Sequence, residues 1–114
     1  MTFKDNIETK TLKNNYYRNV IYTNEQIQLV LMNLEPYQEI GMEKHNGSQF
    51  IRVEEGNGVA IIKNKRYNLK DGSAVIIDSH TNHNIISGKN GLKLYTIYSP
   101  PQHPKNTKER EKQD

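Results

Sequence analysis

Hydrophobic positions in the middle of the chain follow the two-residue period of β-strands. The stretch from Gln26 to Leu34 alternates for part of its length and then becomes continuously apolar, as in a strand buried on both faces. Leu92 to Tyr98 alternates throughout and is rich in aromatic and β-branched residues. No stretch shows a convincing helical period. The pattern therefore predicts strands and no helix.

Turn residues separate these apolar segments. The predicted turns are Glu35-Pro36-Tyr37-Gln38, Gly56-Asn57-Gly58, Asn64-Lys65, Lys70-Asp71-Gly72 and Gly88-Lys89-Asn90-Gly91. About eight short strands with turns at roughly ten-residue spacings predict a small all-β barrel or sandwich. The 114 residues are enough for one such domain.

Three potential metal ligands flank one further predicted turn. Gly41 to Gly58 is predicted to form a strand, a tight turn at Asn46-Gly47 and a second strand. Glu43 and His45 are two residues apart and share a face, and folding back at the turn places Gln49 across from His45. A carboxylate, an imidazole and an amide at one point predict a metal site, which one more ligand would complete.

The two ends of the chain differ from its middle. Residues 16–101 are predicted to form the barrel. Residues 1–15 are a polar arm, for which two interpretations stay open: an edge strand or subunit contact, and simple disorder. Residues 102–114 are a charged tail, expected to be mobile or marginally helical.

The net charge of +3 comes entirely from the two ends. Residues 1–18 carry four Lys or Arg against two acids, residues 102–114 carry four against three, and residues 19–101 carry eight against eight. A nucleic-acid-binding surface normally needs a basic stripe on the folded part. We therefore expect no nucleic-acid partner.

Cysteine is absent, so any metal must be held by nitrogen and oxygen ligands. The chain has no apolar signal-peptide region and no apolar run approaching ~20 residues. We therefore expect a cytoplasmic protein that neither crosses nor binds a membrane.

The potential ligands follow the spacing of the first motif of the cupin family, which this chain resembles. That motif carries two ligands two residues apart, a third four residues after the second, and a glycine seven residues further on. The corresponding residues are Glu43, His45, Gln49 and Gly56. Many cupins have His at the first of these positions and Glu at the third.

The second cupin motif runs from a glycine to a ligand histidine eleven residues later, and Gly72 and His83 fit that spacing. Asn84 after the histidine is common in small cupins. The loop positions usually held by Pro and Gly carry Asp78 and His80 instead. The resemblance covers residues 16–104 and is strongest to small single-domain cupins described as similar to mannose-6-phosphate isomerases.

The resemblance implies a cupin-type β-barrel, that is, a double-stranded β-helix or jelly roll, with a metal in its mouth. His45, His83 and Glu43 would form a two-histidine, one-carboxylate set, which suits Fe, Mn, Ni or Zn as a divalent ion. Gln49 either coordinates the metal or hydrogen-bonds a ligand or a water. Small cupins also pair through barrel faces, so the resemblance implies a homodimer.

Other residues are weaker candidates for the site. His80 is expected to be exposed, and His103 to lie at the surface near the barrel rim or to close the mouth. Residues that could line the pocket are Tyr37, Phe50, Arg52, Tyr95 and Tyr98. Strand parity places Gln49, Ile51 and Val53 on the metal face and turns Phe50 and Arg52 away from it.

Two functions remain open. The first is a metal-dependent enzyme acting on a small polar substrate, either a sugar isomerase or epimerase or an oxygenase. The second is a non-catalytic cupin that binds a small ligand or uses its metal structurally. The isomerase version is weakened because no second general base is evident.

Overall fold

The computed structural model describes residues 2–113, and most of this chain is antiparallel β-structure. Within those residues the elements are α1 (Ile7–Lys13), β1 (Arg18–Thr23), β2 (Gln28–Leu34), β3 (Ser48–Ile62), β4 (Lys65–Leu69), β5 (Ala74–Ile77), β6 (His83–Ser99) and β7 (Lys108–Glu109). The strands pair in the order β4-β3-β6-β2-β1-β7, and β5 pairs with β3. The predicted all-β barrel is confirmed.

The two longest strands, β3 and β6, pair with each other along most of their length. They pair from Ser48↔Ser99 to Ile62↔His83, and their register shifts between Val53 and Glu55 and again between Gly56 and Gly58. The predicted turns at Gly56–Gly58 and Gly88–Gly91 are therefore wrong, because both segments are bulged parts of continuous strands. Bulges let each strand bend, so that its two halves lie in different regions of the barrel.

A glycine at position 56 is required by this bulge. Gly56 has φ 114°, and a Cβ on it would lie 2.1 Å from the carbonyl oxygen of Gly91. Only a residue without a side chain allows the two backbones to approach so closely.

The core lies between the inward faces of the strands. Along β3, Gln49, Ile51 and Val53 are buried, whereas Phe50 and Arg52 between them are partly exposed. This alternation agrees with the strand parity read from the sequence. The buried apolar residues packed around them include Val30, Met32, Leu34, Ile77, Ile85, Leu92, Leu94 and Tyr98.

The predicted hairpin at Asn46-Gly47 is wrong. Glu43 pairs with His83 at the start of β6, through hydrogen bonds of 2.7 Å and 2.9 Å between their backbones. Gln49 pairs with Ile77 and Tyr98, not with His45. The long strand β6 supplies backbone partners to both segments, and these non-local pairs replace the local ones.

The helix α1 lies in the polar N-terminal arm, where no helix was predicted. The side chain of Asn6 caps it by accepting a hydrogen bond of 2.9 Å from the backbone N–H of Thr9. Thr11 is the buried residue of this helix. With one buried position in seven residues, the helix has no apolar stripe that periodicity could detect.

The C-terminal segment is bound to the barrel by a short strand and not by a helix. β7 pairs with β1, and the Arg18 guanidinium lies 2.6 Å from the Glu109 carboxylate. The backbone N–H of Val20 also donates to the Thr107 carbonyl at 2.8 Å. Among the described residues there is no helix whose length and apolar character would allow it to cross a membrane.

Candidate metal centre

Backbone pairing at the start of β6 brings Glu43, His45 and His83 to one place. The Glu43–His83 bridge puts these two side chains side by side, and the His80 backbone N–H donates to the His45 carbonyl at 2.7 Å. The second bond ties the loop before β6 to the segment before β3. Positions forty residues apart in the chain thus share one end of the barrel.

The distances between the three side chains suit a common ion. Glu43 Oε1 lies 3.4 Å from His45 Nε2 and 4.0 Å from His83 Nε2. One ligand atom from each of the three residues lies within 4.8 Å of the others, and the two imidazole centroids are 5.3 Å apart. The His83 side chain is 3% exposed, whereas those of His45 and Glu43 are 15% and 29% exposed, so the cluster is buried at His83 and open to solvent at Glu43.

The hydrogen bonding of His83 defines which ring nitrogen faces the cluster. Its Nδ1 lies 2.9 Å from the Thr81 carbonyl oxygen, which can only accept, so Nδ1 carries the proton. With a proton on Nδ1, Nε2 is the ring nitrogen that can present a lone pair to the cluster, and this buried atom has no hydrogen-bond partner. A histidine oriented by a backbone carbonyl through its other nitrogen is a common arrangement for a metal ligand.

The Nε2 atom of His45 is also buried without a partner. The two imidazole nitrogens thus lie within 4.0 Å of the Glu43 carboxylate, but neither makes a hydrogen bond. Buried acceptors left unpaired in this way are costly, and a divalent cation among them would satisfy all three groups. The residues present thus fit a metal ion.

Gln49 lies buried on the inward face of β3, with 4% exposure. Its amide nitrogen donates to Thr96 Oγ1 at 2.9 Å, while its amide oxygen is buried without a partner. Thr96 belongs to β6 and was missed by the sequence analysis. The available signal was a threonine at an inward position between Leu94 and Tyr98, where apolar residues are expected.

Tyr98 forms part of the wall beside the metal ligands. Its ring meets the His45 ring edge-on, with centroids 5.4 Å apart, and is 2% exposed. Burial, together with the negative charge of Glu43, raises the pKa of the Tyr98 phenol above its ordinary value. The phenol is therefore neutral at physiological pH.

The His103 ring also meets the Tyr98 ring edge-on, with ring centroids 5.3 Å apart. The residue as a whole is half-buried, which agrees with a position near the barrel rim, while its Nε2 atom is buried and has no partner. Burial, and then the neighbouring Arg18 and His45, lower the pKa of the His103 imidazole from 6.5 to about 4. His103 is thus neutral at physiological pH.

Most of the other sequence candidates lie outside the site. His80 is exposed and has φ 60°, and Tyr37 is 72% exposed. Arg52 faces outward with its guanidinium 3.5 Å from Glu54. Phe50 and Tyr95 contact each other on the outer face, with centroids 6.1 Å apart.

Comparison with known proteins identifies the family of this chain. The family model described as "Cupin domain" matches residues 30–98. A crystal structure of BH2720 from Bacillus halodurans has a TM-score of 0.94 and 35% sequence identity, over 96% of this chain and 89% of that chain.

Two curated relatives are longer proteins. The uncharacterized protein L612 of Acanthamoeba polyphaga mimivirus is 47% identical over 87% of this chain and 66% of its own length. The uncharacterized protein YrkC of Bacillus subtilis is 39% identical over 98% of this chain and 64% of its own length. The chain thus spans just under two thirds of the length of each relative. With the family model covering most of the barrel, these similarities show that the chain belongs to the cupin family.

Proposed function

We propose that this protein is a metal-dependent cupin enzyme that acts on a small polar molecule. Glu43, His45 and His83 would hold a divalent ion, and Gln49 would complete or tune the set of ligands. The observation that carries the proposal is the pair of buried, unpartnered imidazole nitrogens facing one carboxylate. A purely structural barrel has no need for such a costly arrangement.

The donor set supports Fe, Mn, Ni or Zn as the bound ion. When bound, such an ion supplies Lewis-acid polarisation or, for a redox metal, activation of dioxygen. One carboxylate against a divalent ion leaves a net positive charge of about one, which favours an anionic oxygen on the substrate. The neutral Tyr98 ring beside His45 limits the access of water to this charge.

These features support a sugar isomerase or epimerase, as in mannose-6-phosphate isomerase-like cupins, or an oxygenase. The isomerase version gains no general base from His103, because a pKa of about 4 makes this imidazole a weak proton acceptor at physiological pH. We further propose that the protein works in the cytoplasm as a homodimer.

Metal content tests the proposal. The protein would be purified without a histidine tag, loaded in turn with Fe(II), Mn(II), Ni(II) and Zn(II), and analysed by mass spectrometry of the metal. We expect stoichiometric metal in the wild type and its loss in Glu43→Gln and His83→Ala, both still folded by circular dichroism. The exposed carboxylate of Glu111 provides the control, and Glu111→Gln should retain the metal. A wild type that binds none of the four ions overturns the proposal.

Activity separates the enzyme from a non-catalytic cupin. Oxygen consumption with small diketones and flavonols, and isomerisation of sugar phosphates, would be measured with the loaded protein. Turnover that disappears in Glu43→Gln supports the enzyme. A protein that binds the metal, unfolds when the metal is removed and turns over none of these substrates supports a structural metal instead.

A further inference from the structure

The C-terminal segment places His103, a half-buried residue with a buried Nε2 atom, against the Tyr98 ring that also meets His45. We propose that His103 contacts the substrate directly, through Nε2, and that the substrate is a small hydroxycarbonyl compound with one oxygen at the Glu43–His45–His83 cluster and a hydroxyl at His103. This inference rests on the proposed function and adds a substrate-binding residue outside the metal ligands.

One ring nitrogen of His103 lacks a hydrogen-bond partner. Its Nε2 atom is buried and makes no hydrogen bond to any described part of the chain. A buried polar atom without a partner costs roughly 1–3 kcal/mol, so proteins seldom retain one unless a ligand satisfies it. Since Nε2 has no protein partner that selects the tautomer, it can accept a hydrogen bond from a hydroxyl or, when protonated in the other tautomer, donate one to an oxygen anion.

The position of His103 is set by a fully buried side chain, Gln28. Its amide oxygen accepts hydrogen bonds from the backbone N–H groups of Gln102 at 3.1 Å and His103 at 3.0 Å. Its amide nitrogen donates to the His103 carbonyl at 2.7 Å and to Thr23 Oγ1 at 3.0 Å. Both backbone polar groups of His103 are thus held by one residue of β2. Fixing both backbone groups holds the His103 ring at one position beside Tyr98.

The contacts of Tyr98 place His103 near the metal ligands without making it one of them. The Tyr98 ring meets His45 at 5.4 Å and His103 at 5.3 Å, both edge-on. The ligand atoms that lie within 4.8 Å of one another belong to Glu43, His45 and His83, and this group does not include His103. A second atom of the bound molecule, and not the ion itself, is therefore the suitable partner for Nε2.

The charges of the two groups define the chemical class of the ligand. The metal cluster favours an anionic or carbonyl oxygen, and the neutral imidazole adds a directional hydrogen bond to an adjacent hydroxyl. A small molecule with both a carbonyl oxygen and a hydroxyl can engage both. Acetohydroxamate, which has a carbonyl oxygen next to an N–OH group, serves as the probe. Because hydroxamates chelate divalent ions through both oxygens, the hydrogen bond tested is the one from Nε2–H of His103 to the N–O oxygen.

Titration of acetohydroxamate into the Co(II)-loaded protein, followed by visible absorption, tests the inference. His103→Phe keeps a flat ring and removes both nitrogens, while His103→Gln keeps a polar atom near the position of Nε2. The control is His80→Gln, because His80 is exposed and outside the cluster. Cobalt content and circular dichroism would be measured for each variant.

We expect about tenfold weaker hydroxamate binding in His103→Phe, the loss of one good hydrogen bond, at unchanged cobalt content. His103→Gln should recover most of the affinity, and His80→Gln should match the wild type. Equal affinity in His103→Phe and the wild type overturns the inference and leaves the metal site standing. Loss of cobalt in a folded His103→Phe or His103→Gln also overturns it, since His103 would then be a metal ligand. A wild type that binds no cobalt overturns both the inference and the proposed function.

Discussion

The amide nitrogen of Gln49 donates to Thr96 Oγ1 at 2.9 Å, and the Thr96 hydroxyl in turn donates to the Phe50 carbonyl at 2.8 Å. Because the hydroxyl proton is already used, Thr96 Oγ1 can only accept from Gln49. Gln49 therefore presents its amide nitrogen to Thr96, and its unpartnered oxygen is the atom available to a ligand. These two hydrogen bonds distinguish the amide oxygen of Gln49 from its amide nitrogen, which shape alone does not.

Thr96→Val tests whether that orientation supports metal binding. The substitution keeps the shape and removes the hydroxyl, so Gln49 loses its fixed orientation and Phe50 loses a donor. We expect a loss in stability of about 1–3 kcal/mol and several-fold weaker metal binding, measured by competition with a chelator.

Thr107→Val is the matched control, since the Thr107 hydroxyl bonds a backbone carbonyl outside the site. It should leave metal affinity unchanged. Wild-type metal affinity in Thr96→Val would mean that Gln49 is not a ligand.

Metal should stabilise the folded protein through the Glu43 cluster. A ligand at a hundred times its dissociation constant adds about 2.7 kcal/mol to the free energy of unfolding, which raises the Tm of a domain of this size by roughly 10 °C. Thermal unfolding with and without EDTA measures this shift. Glu43→Gln should abolish the shift, and Glu111→Gln should keep it. A Glu43→Gln protein that is still stabilised by metal would place the ion elsewhere.

His103 should make the metal-free protein less stable in acid. Its folded-state pKa, lowered to about 4 by burial and by Arg18 and His45, lies below the unfolded value of 6.5. Between these values the unfolded chain binds the proton and the folded chain does not. The free energy of unfolding therefore falls as pH drops from 6.5 towards 4, and His103 makes no such difference above pH 6.5.

Urea unfolding across this range in EDTA, compared between the wild type and His103→Gln, isolates the effect. The wild type should lose stability more steeply than the variant below pH 6.5. A histidine titration by NMR should place the His103 pKa near 4. Parallel stability curves for the two proteins would contradict the buried, neutral state of this ring.

Gly56 should tolerate a side chain far less than Gly72 does. Both have positive φ, 114° and 87°, so both pay a conformational penalty of about 1–2 kcal/mol when replaced by Ala. At Gly56 the new Cβ also meets the Gly91 carbonyl, whereas at Gly72 nothing lies within 4 Å. We expect Gly56→Ala to cost about 3 kcal/mol or more and Gly72→Ala only the common penalty, measured by urea unfolding. Equal costs would mean that the β3–β6 bulge relaxes freely.

Residue spacing, compared with the two motifs of the cupin family, identified the cluster that the structure brings together. Glu43 and His45 are two apart, and His83 follows a glycine by eleven residues, so a motif of fixed spacing carried the information. Period-two alternation likewise indicated which β3 residues face inward. Each motif and each alternation is local, and the resemblance to a known family supplied the link between the two motifs.

The sequence by itself therefore determined an all-β chain, the inward face of β3 and the grouping of Glu43 with two histidines. Tertiary structure alone decided that Glu43 pairs with His83, that Thr96 orients Gln49, and that Gln28 holds His103 in the wall of the site. A two-residue period states which face a side chain occupies, but not which strand lies opposite. That choice depends on hydrogen bonds between segments far apart in the chain, and only the closed barrel brings them together.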